Sequence, residues 1–231
     1  MKRFWKDVNV VEREGGWQVA LDDRGVKSVG GAPQIVPSRA LAEELAKEWA
    51  RQGETIDPRG FPFRDLADYA IDMVARDPAA VVEKTLRYGD TDTLLYRADP
   101  DEPLHARQLA DWEPIVAGFE REEQVELVRV SGIVHRPQPD ATTAHLRQRL
   151  SDLDPFALAG TEMMASLAAS LVIALEAGRP HGDAEALWQA ASLEEEWQAD
   201  LWGRDEEAEE RRKGRAEQFA HAARWVRLAN T

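Results

Sequence analysis

The sequence has no cysteine among its 231 residues. That excludes disulfide scaffolds, zinc–thiolate centres, iron–sulfur clusters and thiol nucleophiles. Positive charge is also short, with 29 Lys and Arg against 43 Asp and Glu and a net charge of −14. Phosphate-driven nucleic-acid binding needs the opposite sign, and so does attraction to an anionic membrane. No long apolar run is present. Met163–Leu175 is the most apolar stretch, 13 residues interrupted by Ser166 and Ser170, whereas a bilayer span takes about 20. Met1-Lys2-Arg3 leads into Phe4-Trp5-Lys6-Asp7 without an apolar signal segment, and the expected location is the cytoplasm. Chemistry-bearing motifs are equally scarce. Gly25 to Gly31 lacks the Lys-Ser/Thr and the strand–helix setting of a phosphate loop. His105, His135, His145, His181 and His221 form no HExxH and no close pair, so they read as surface or structural residues. The serines have no nucleophile-elbow setting. No catalytic residue, cofactor or metal is expected.

What is present is a change of period. Up to residue 36 apolar residues alternate, with Val8 and Val10, then Trp17, Val19 and Leu21, the signature of half-buried strands. Gly15-Gly16 reads as a hairpin turn, Asp22 to Gly25 as a second turn, and Ile35-Val36 as a strand closing a small sheet. From Pro37 the spacing turns helical. Ser38 is the expected N-cap of a helix bearing Leu41, Leu45, Ala46 and Trp49 and stopped by Gly53. Further helices are expected over 63–76, 81–88, 104–119 and from Asp140 or Thr142 to Leu150. Residues 121–130 fit neither period cleanly, and helix and strand stay open there. Asp154-Pro155 starts the most apolar helix, which Gly178 ends. One amphipathic helix is expected over 183–202, with Ala186, Ala190, Leu193, Trp197 and Leu201 on its stripe, and a last one over 205–228. The fold class is α+β: a small β-rich domain, 1–36, followed by a larger multihelical domain, 37–231.

Charge is uneven along this frame. Residues 1–60 hold 10 basic and 10 acidic side chains, whereas 183–210 holds 11 acids against Arg204 alone. Such a block is either a solvated helix face or a docking surface for a basic partner. Glu196 and Asp200 stand one helical turn apart with Arg204 a turn further on. Two carboxylates at that spacing can hold a cation or do acid–base work. Asp90 and Asp92 before Leu94-Leu95-Tyr96-Arg97 either hold a cation or cap free amides. Eight tryptophans are many for this length. Most should fill helix–helix gaps, but Trp197 and Trp202 border the acidic block and Trp49 lies beside Glu48. Tryptophans bordered by charge are what interface anchors look like.

An ordered set of motifs runs through the chain. Phe4-Trp5-Lys6 is followed by Gly15-Gly16-Trp17-Gln18-Val19-Ala20-Leu21-Asp22-Asp23-Arg24, Val36-Pro37-Ser38-Arg39-Ala40-Leu41-Ala42 and Glu48-Trp49-Ala50-Arg51-Gln52. Then come Thr91-Asp92-Thr93-Leu94-Leu95-Tyr96-Arg97-Ala98, Ser192-Leu193-Glu194-Glu195-Glu196-Trp197-Gln198 and Trp202-Gly203-Arg204-Asp205-Glu206-Glu207-Ala208. Together they resemble the ATP synthase F₁ assembly chaperones that handle the α subunit, known from mitochondria and alphaproteobacteria. The chain departs from the family's habit at Lys27-Ser28-Val29, at Phe61-Pro62-Phe63-Arg64 and at Leu95. It begins at the first motif without an Arg/Ser-rich presequence, and so looks bacterial and cytoplasmic, whereas the eukaryotic relatives belong to the mitochondrial matrix. The resemblance implies a non-enzymatic chaperone that holds the unassembled F₁ α subunit until the β subunit replaces it. Glu194, Glu195, Glu196, Trp197, Asp200, Trp202, Asp205, Glu206, Glu207 and Trp49 are the residues expected to meet that partner. The competing readings are an acidic adaptor for another protein and a carboxylate- or metal-dependent hydrolase built on Glu196/Asp200 or Asp90/Asp92.

Overall fold

Strand β1 (Val8–Arg13) pairs antiparallel with β2 (Gly16–Leu21), Val8 facing Leu21 and Arg13 facing Gly16. In a computed structural model, which describes residues 2–132 and 134–231, the turn between them passes through Gly15 at φ +85° and Gly16 at φ +150°. Side chains resist both values, and a Cβ on Gly16 would fall on the Val36 carbonyl oxygen. Strands β3 (Arg24–Gly25) and β4 (Ile35–Val36) both pair with β2, which makes β2 the centre of a four-stranded sheet. It buries Val19, Ala20 and Leu21 consecutively, and since successive side chains point to opposite faces, both faces of the sheet are covered there.

Helix α1 (Arg39–Ala50) lies against this sheet. The Ser38 hydroxyl accepts the Leu41 amide at 3.0 Å, and Leu41, Ala42, Leu45 and Trp49 face inward. The helix ends at Ala50, three residues before Gly53, with Arg51 as its C-cap, and Arg3 binds the carbonyls that follow. Its guanidinium donates to the Gln52 carbonyl at 2.7 Å and lies near that of Ala50, where a cation also meets the helix dipole. Helix α2 (Pro62–Asp72) starts on the Glu48 carboxylate, which accepts the Phe63 and Arg64 amides at 2.7 and 2.9 Å. Burial outweighs those bonds and pushes Glu48 up to about 7. A short 3₁₀ turn, Val74–Arg76, replaces the last part of the helix expected to Arg76.

The chain forms two compact units. One comprises Met1–Pro78, Leu153–Gly160 and Arg224–Thr231, the other Ala79–Asp152 and Thr161–Ala223. These units divide the chain differently from the expected 1–36 and 37–231. The sheet shares its unit with α1, α2 and two later segments, since about 35 residues of sheet have too little apolar surface to form a core alone. In this first unit Trp225 is fully buried, stacks 5.8 Å from Phe63 and donates to the Phe156 carbonyl at 2.7 Å.

The remaining helices are α3 (Pro78–Asp90), α4 (Pro103–Glu123), α5 (Asp140–Ser151), α6 (Pro155–Ala168), α7 (Leu171–Gly178), α8 (Ala184–Ala191), α9 (Leu193–Trp202) and α10 (Glu206–Ala229). Trp112, Phe119, Leu150, Met164, Ile173 and Phe219 are fully buried in the second unit. Two expectations fail there and one left open is decided, each for an identifiable reason. The open segment 121–130 takes both forms: α4 runs to Glu123, Gln124 caps it at φ +55°, and the chain continues into β6 (Val130–Ser131), which pairs parallel with β5 (Tyr96–Arg97). Side chains satisfy the backbone in between, with Glu120 accepting the Leu127 amide and Gln138 the Val128 amide. The single apolar helix to Gly178 is two, broken where Ala169 turns to φ +47° and Ser170 caps α7. The buried Asp92 drives that break. Its carboxylate accepts the Leu94 amide at 3.0 Å and the Val172 amide at 2.9 Å, while the Thr93 amide holds the Ala169 carbonyl. Asp92 is therefore a capping residue, pushed up to about 6 by burial. The helix expected over 183–202 is likewise two, divided at Ser192.

Candidate functional site

Within the second unit, α8, α9 and α10 are assembled by local rules. Asp183 caps α8 by accepting the Ala186 amide at 3.1 Å. Glu194, Glu195 and Glu196 occupy the first turn of α9, where negative charge meets the positive helix end. Gly203 at φ +98° ends α9, and Asp205 restarts the chain as α10 by accepting the Ala208 amide at 2.9 Å. Buried aromatics seat these helices. Trp188 stacks 5.4 Å from Phe219, and Trp112 donates from Nε1 to the Ala190 carbonyl at 2.8 Å. Gln108 donates to Glu194 at 2.7 Å, and burial raises that carboxyl above its ordinary value.

Between α4, α8, α9 and α10 lies a groove of about 960 Å³. Ile115, Ala190, Leu193 and Trp197 line it with apolar surface, and Arg107, Asp200 and Lys213 line it with charge. At its rim the acidic and basic side chains are largely matched to each other. Arg204 donates to Glu196 at 2.9 Å, to Asp200 at 2.8 Å and to Glu209 at 3.3 Å. Arg212 pairs with Glu196 at 2.6 Å and also with Glu209, and Arg215 pairs with Glu195 at 2.9 Å. Arg215 also donates to the Leu167 carbonyl at 3.0 Å, with its guanidinium 5.4 Å from the centre of the Trp188 ring.

The expected partner residues therefore fall into groups. Glu194 is half-buried and bonded inside the unit. Glu195, Glu196 and Asp200 are held by arginines of the same chain, so Glu196 and Asp200 form an ion-pair clamp with Arg204. Asp205 caps α10. Glu206 and Glu207 are exposed, and Glu207 pairs with Arg211 at 2.7 Å. Trp197 lines the groove, whereas Trp202 stands 80% exposed at the end of α9. Trp49 does not join this surface. It is 9% exposed in the core of the first unit, its ring 5.1 Å from Trp5 and 4.7 Å from Phe61, so its apolar area is already spent on folding. Leu201, expected inward, is 61% exposed. Leu193, Trp197 and Leu201 all belong to α9, but each four-residue step drifts about 40° around a 3.6-residue helix, so Leu201 lies about 80° from the buried Leu193. No group of three or more His, Asp or Glu able to hold a metal ion occurs among the described residues. Also among them, no helix is long and apolar enough to cross a membrane.

The family model described as ATP12 chaperone protein matches residues 2–120. Protein atp12, mitochondrial, of Schizosaccharomyces pombe is 28% identical over 221 residues, covering 90% of this chain and 76% of the yeast protein. The crystal structure of Atp12 from Paracoccus denitrificans superposes with a TM-score of 0.94 at 36% identity, over 99% of this chain and 98% of that one. A protein of Agrobacterium tumefaciens superposes with a TM-score of 0.93 at 37% identity, over 100% of this chain and 86% of its own.

Proposed function

The chain belongs to the ATP12 chaperone family, and on that premise we propose that it is an assembly chaperone for the F₁ sector of ATP synthase. In this reading it holds the unassembled α subunit until the β subunit replaces it. The observation that carries it is a likeness to Paracoccus Atp12 spanning 99% of the chain, combined with the motif order that resembles the α-subunit chaperones. It works by covering a surface rather than by chemistry. The matched ion pairs around Glu196 and Asp200 agree with that, because carboxylates engaged by arginines are poorly placed to bind a cation or carry protons. The docking face is the negative side of α9 and α10 with its border of tryptophan.

A pull-down of the tagged protein from a lysate of its own source, at about 0.15 M salt, tests the reading. Recovery of the F₁ α subunit without β supports it. Recovery of a different protein in stoichiometric amount favours the adaptor reading instead. Charge reversal of Glu206 and Glu207 should weaken α capture without unfolding the chain. Reversal of Glu196 or Asp200 should act chiefly by breaking the Arg204 clamp.

A further inference from the structure

The corner between α9 and α10 carries apolar surface that the fold leaves uncovered. Leu201 is 61% and Trp202 80% exposed, on the last turn of α9 immediately before Gly203. Of the other seven tryptophans, Trp5, Trp49, Trp112, Trp188 and Trp225 are each at most 9% exposed, while Trp17 and Trp197 are half-buried. An aromatic side chain buries about 150–250 Å² when covered, and at Trp202 little of that is used in folding.

The corner is also stiffened. Arg204 bonds to Glu196 and Asp200 on α9 and to Glu209 on α10, and Arg212 ties Glu196 to Glu209 a second time. This double clamp restrains the two helices against each other and presents the Leu201–Trp202 pair ready-made, which lowers the ordering cost of binding. It also consumes the charge of Glu196, Asp200 and Glu209 internally. Among the described residues Glu206 and Glu210 have no ion pair, and residues 193–213 hold nine acids against four bases. The apolar pair is thus bordered by uncompensated negative charge.

Resting on the chaperone reading above, we infer that Leu201 and Trp202 are the apolar anchor of the docking face. Their seat is an apolar pocket edged by lysine or arginine on the free α subunit. The anchor provides the residence time and the acids of α10 provide attraction at a distance, a division typical of interfaces with a buried aromatic centre and a charged rim. Salt therefore acts on the association rate and scarcely on dissociation.

The test measures association and dissociation of the full chain with isolated α subunit at low and high salt. It compares Trp202→Ala, Leu201→Ala, Trp202→Phe and the double variant Glu206→Lys/Glu210→Lys, each with a melting curve. Trp202→Ala should accelerate dissociation by about tenfold or more with the melting temperature unchanged, since the ring is exposed. Trp202→Phe should recover most of the loss. The lysine variant should slow association at low salt and match the wild type at high salt. Binding by Trp202→Ala and Leu201→Ala within about twofold of a wild type that does hold α overturns the anchor while leaving the chaperone reading intact. A wild type that fails to hold α overturns both.

Discussion

Glu48 joins two helices and does so at a cost that pH should reveal. Its carboxylate accepts the first two free amides of α2, from Phe63 and Arg64, yet the residue is only 6% exposed. Burial pushes its ionisation from 4.5 to about 7. With the unfolded value the lower one, this contribution is fully present below about 4.5, where both states are protonated. It declines as pH rises, because the unfolded chain ionises first, and is fully lost above about 7. The span of 2.5 units, at about 1.36 kcal/mol each, amounts to roughly 3 kcal/mol. Glu48→Gln separates this from every other titrating group. Glutamine keeps one acceptor and turns an NH₂ towards the second amide, so the variant should be less stable than wild type by about 1–2 kcal/mol at pH 5. At pH 8 the difference should vanish or reverse, because the wild type then carries a buried charge. Urea melts of both proteins at half-unit steps from pH 5 to 8 give the difference directly. A stability difference that stays level across that range would refute the argument that Glu48 is buried against its ionisation.

Asp92→Asn should lower stability by about 1–2 kcal/mol at pH 5, read from urea midpoints, because one amide oxygen cannot serve the Leu94 and Val172 amides together, and the difference should shrink above about pH 6, where the wild type carries a buried charge. The break between α6 and α7 depends on that carboxylate, so amide exchange at residues 169–172 should accelerate more than elsewhere. Trp225→Phe removes the donor to the Phe156 carbonyl and leaves space in a closed core, a loss of about 2 kcal/mol by the same assay. Gly182→Ala places a Cβ against the carbonyl oxygens of Glu176 and Ala177, and should cost about 1–3 kcal/mol because backbone there cannot yield.

Much of this protein follows from near-neighbour rules, and those features are legible along the chain. The β1–β2 hairpin is announced by alternation around Gly15-Gly16, and α1 by Ser38 ahead of Leu41, Leu45 and Trp49. Helical spacing puts Glu196 and Asp200 one turn apart on α9, while Arg204 reaches both from beyond Gly203, which ends that helix. The absence of cysteine and the net negative charge bounded the chemistry before any fold was known.

Other features depended on groups far apart in sequence. Asp92 breaks the apolar helix some 80 residues later, and no local pattern around Ala169 and Ser170 signals that a buried carboxylate will arrive there. Trp49 and Trp202 look alike in sequence, each beside acidic residues. One is enclosed by Trp5 and Phe61, whereas the other ends a helix at a corner with nothing over it. Exposure and charge compensation are sums over neighbours from the whole chain. For that reason composition and period foretold an acidic helical protein, and tertiary packing alone decided which of its acids and tryptophans remain available to a partner.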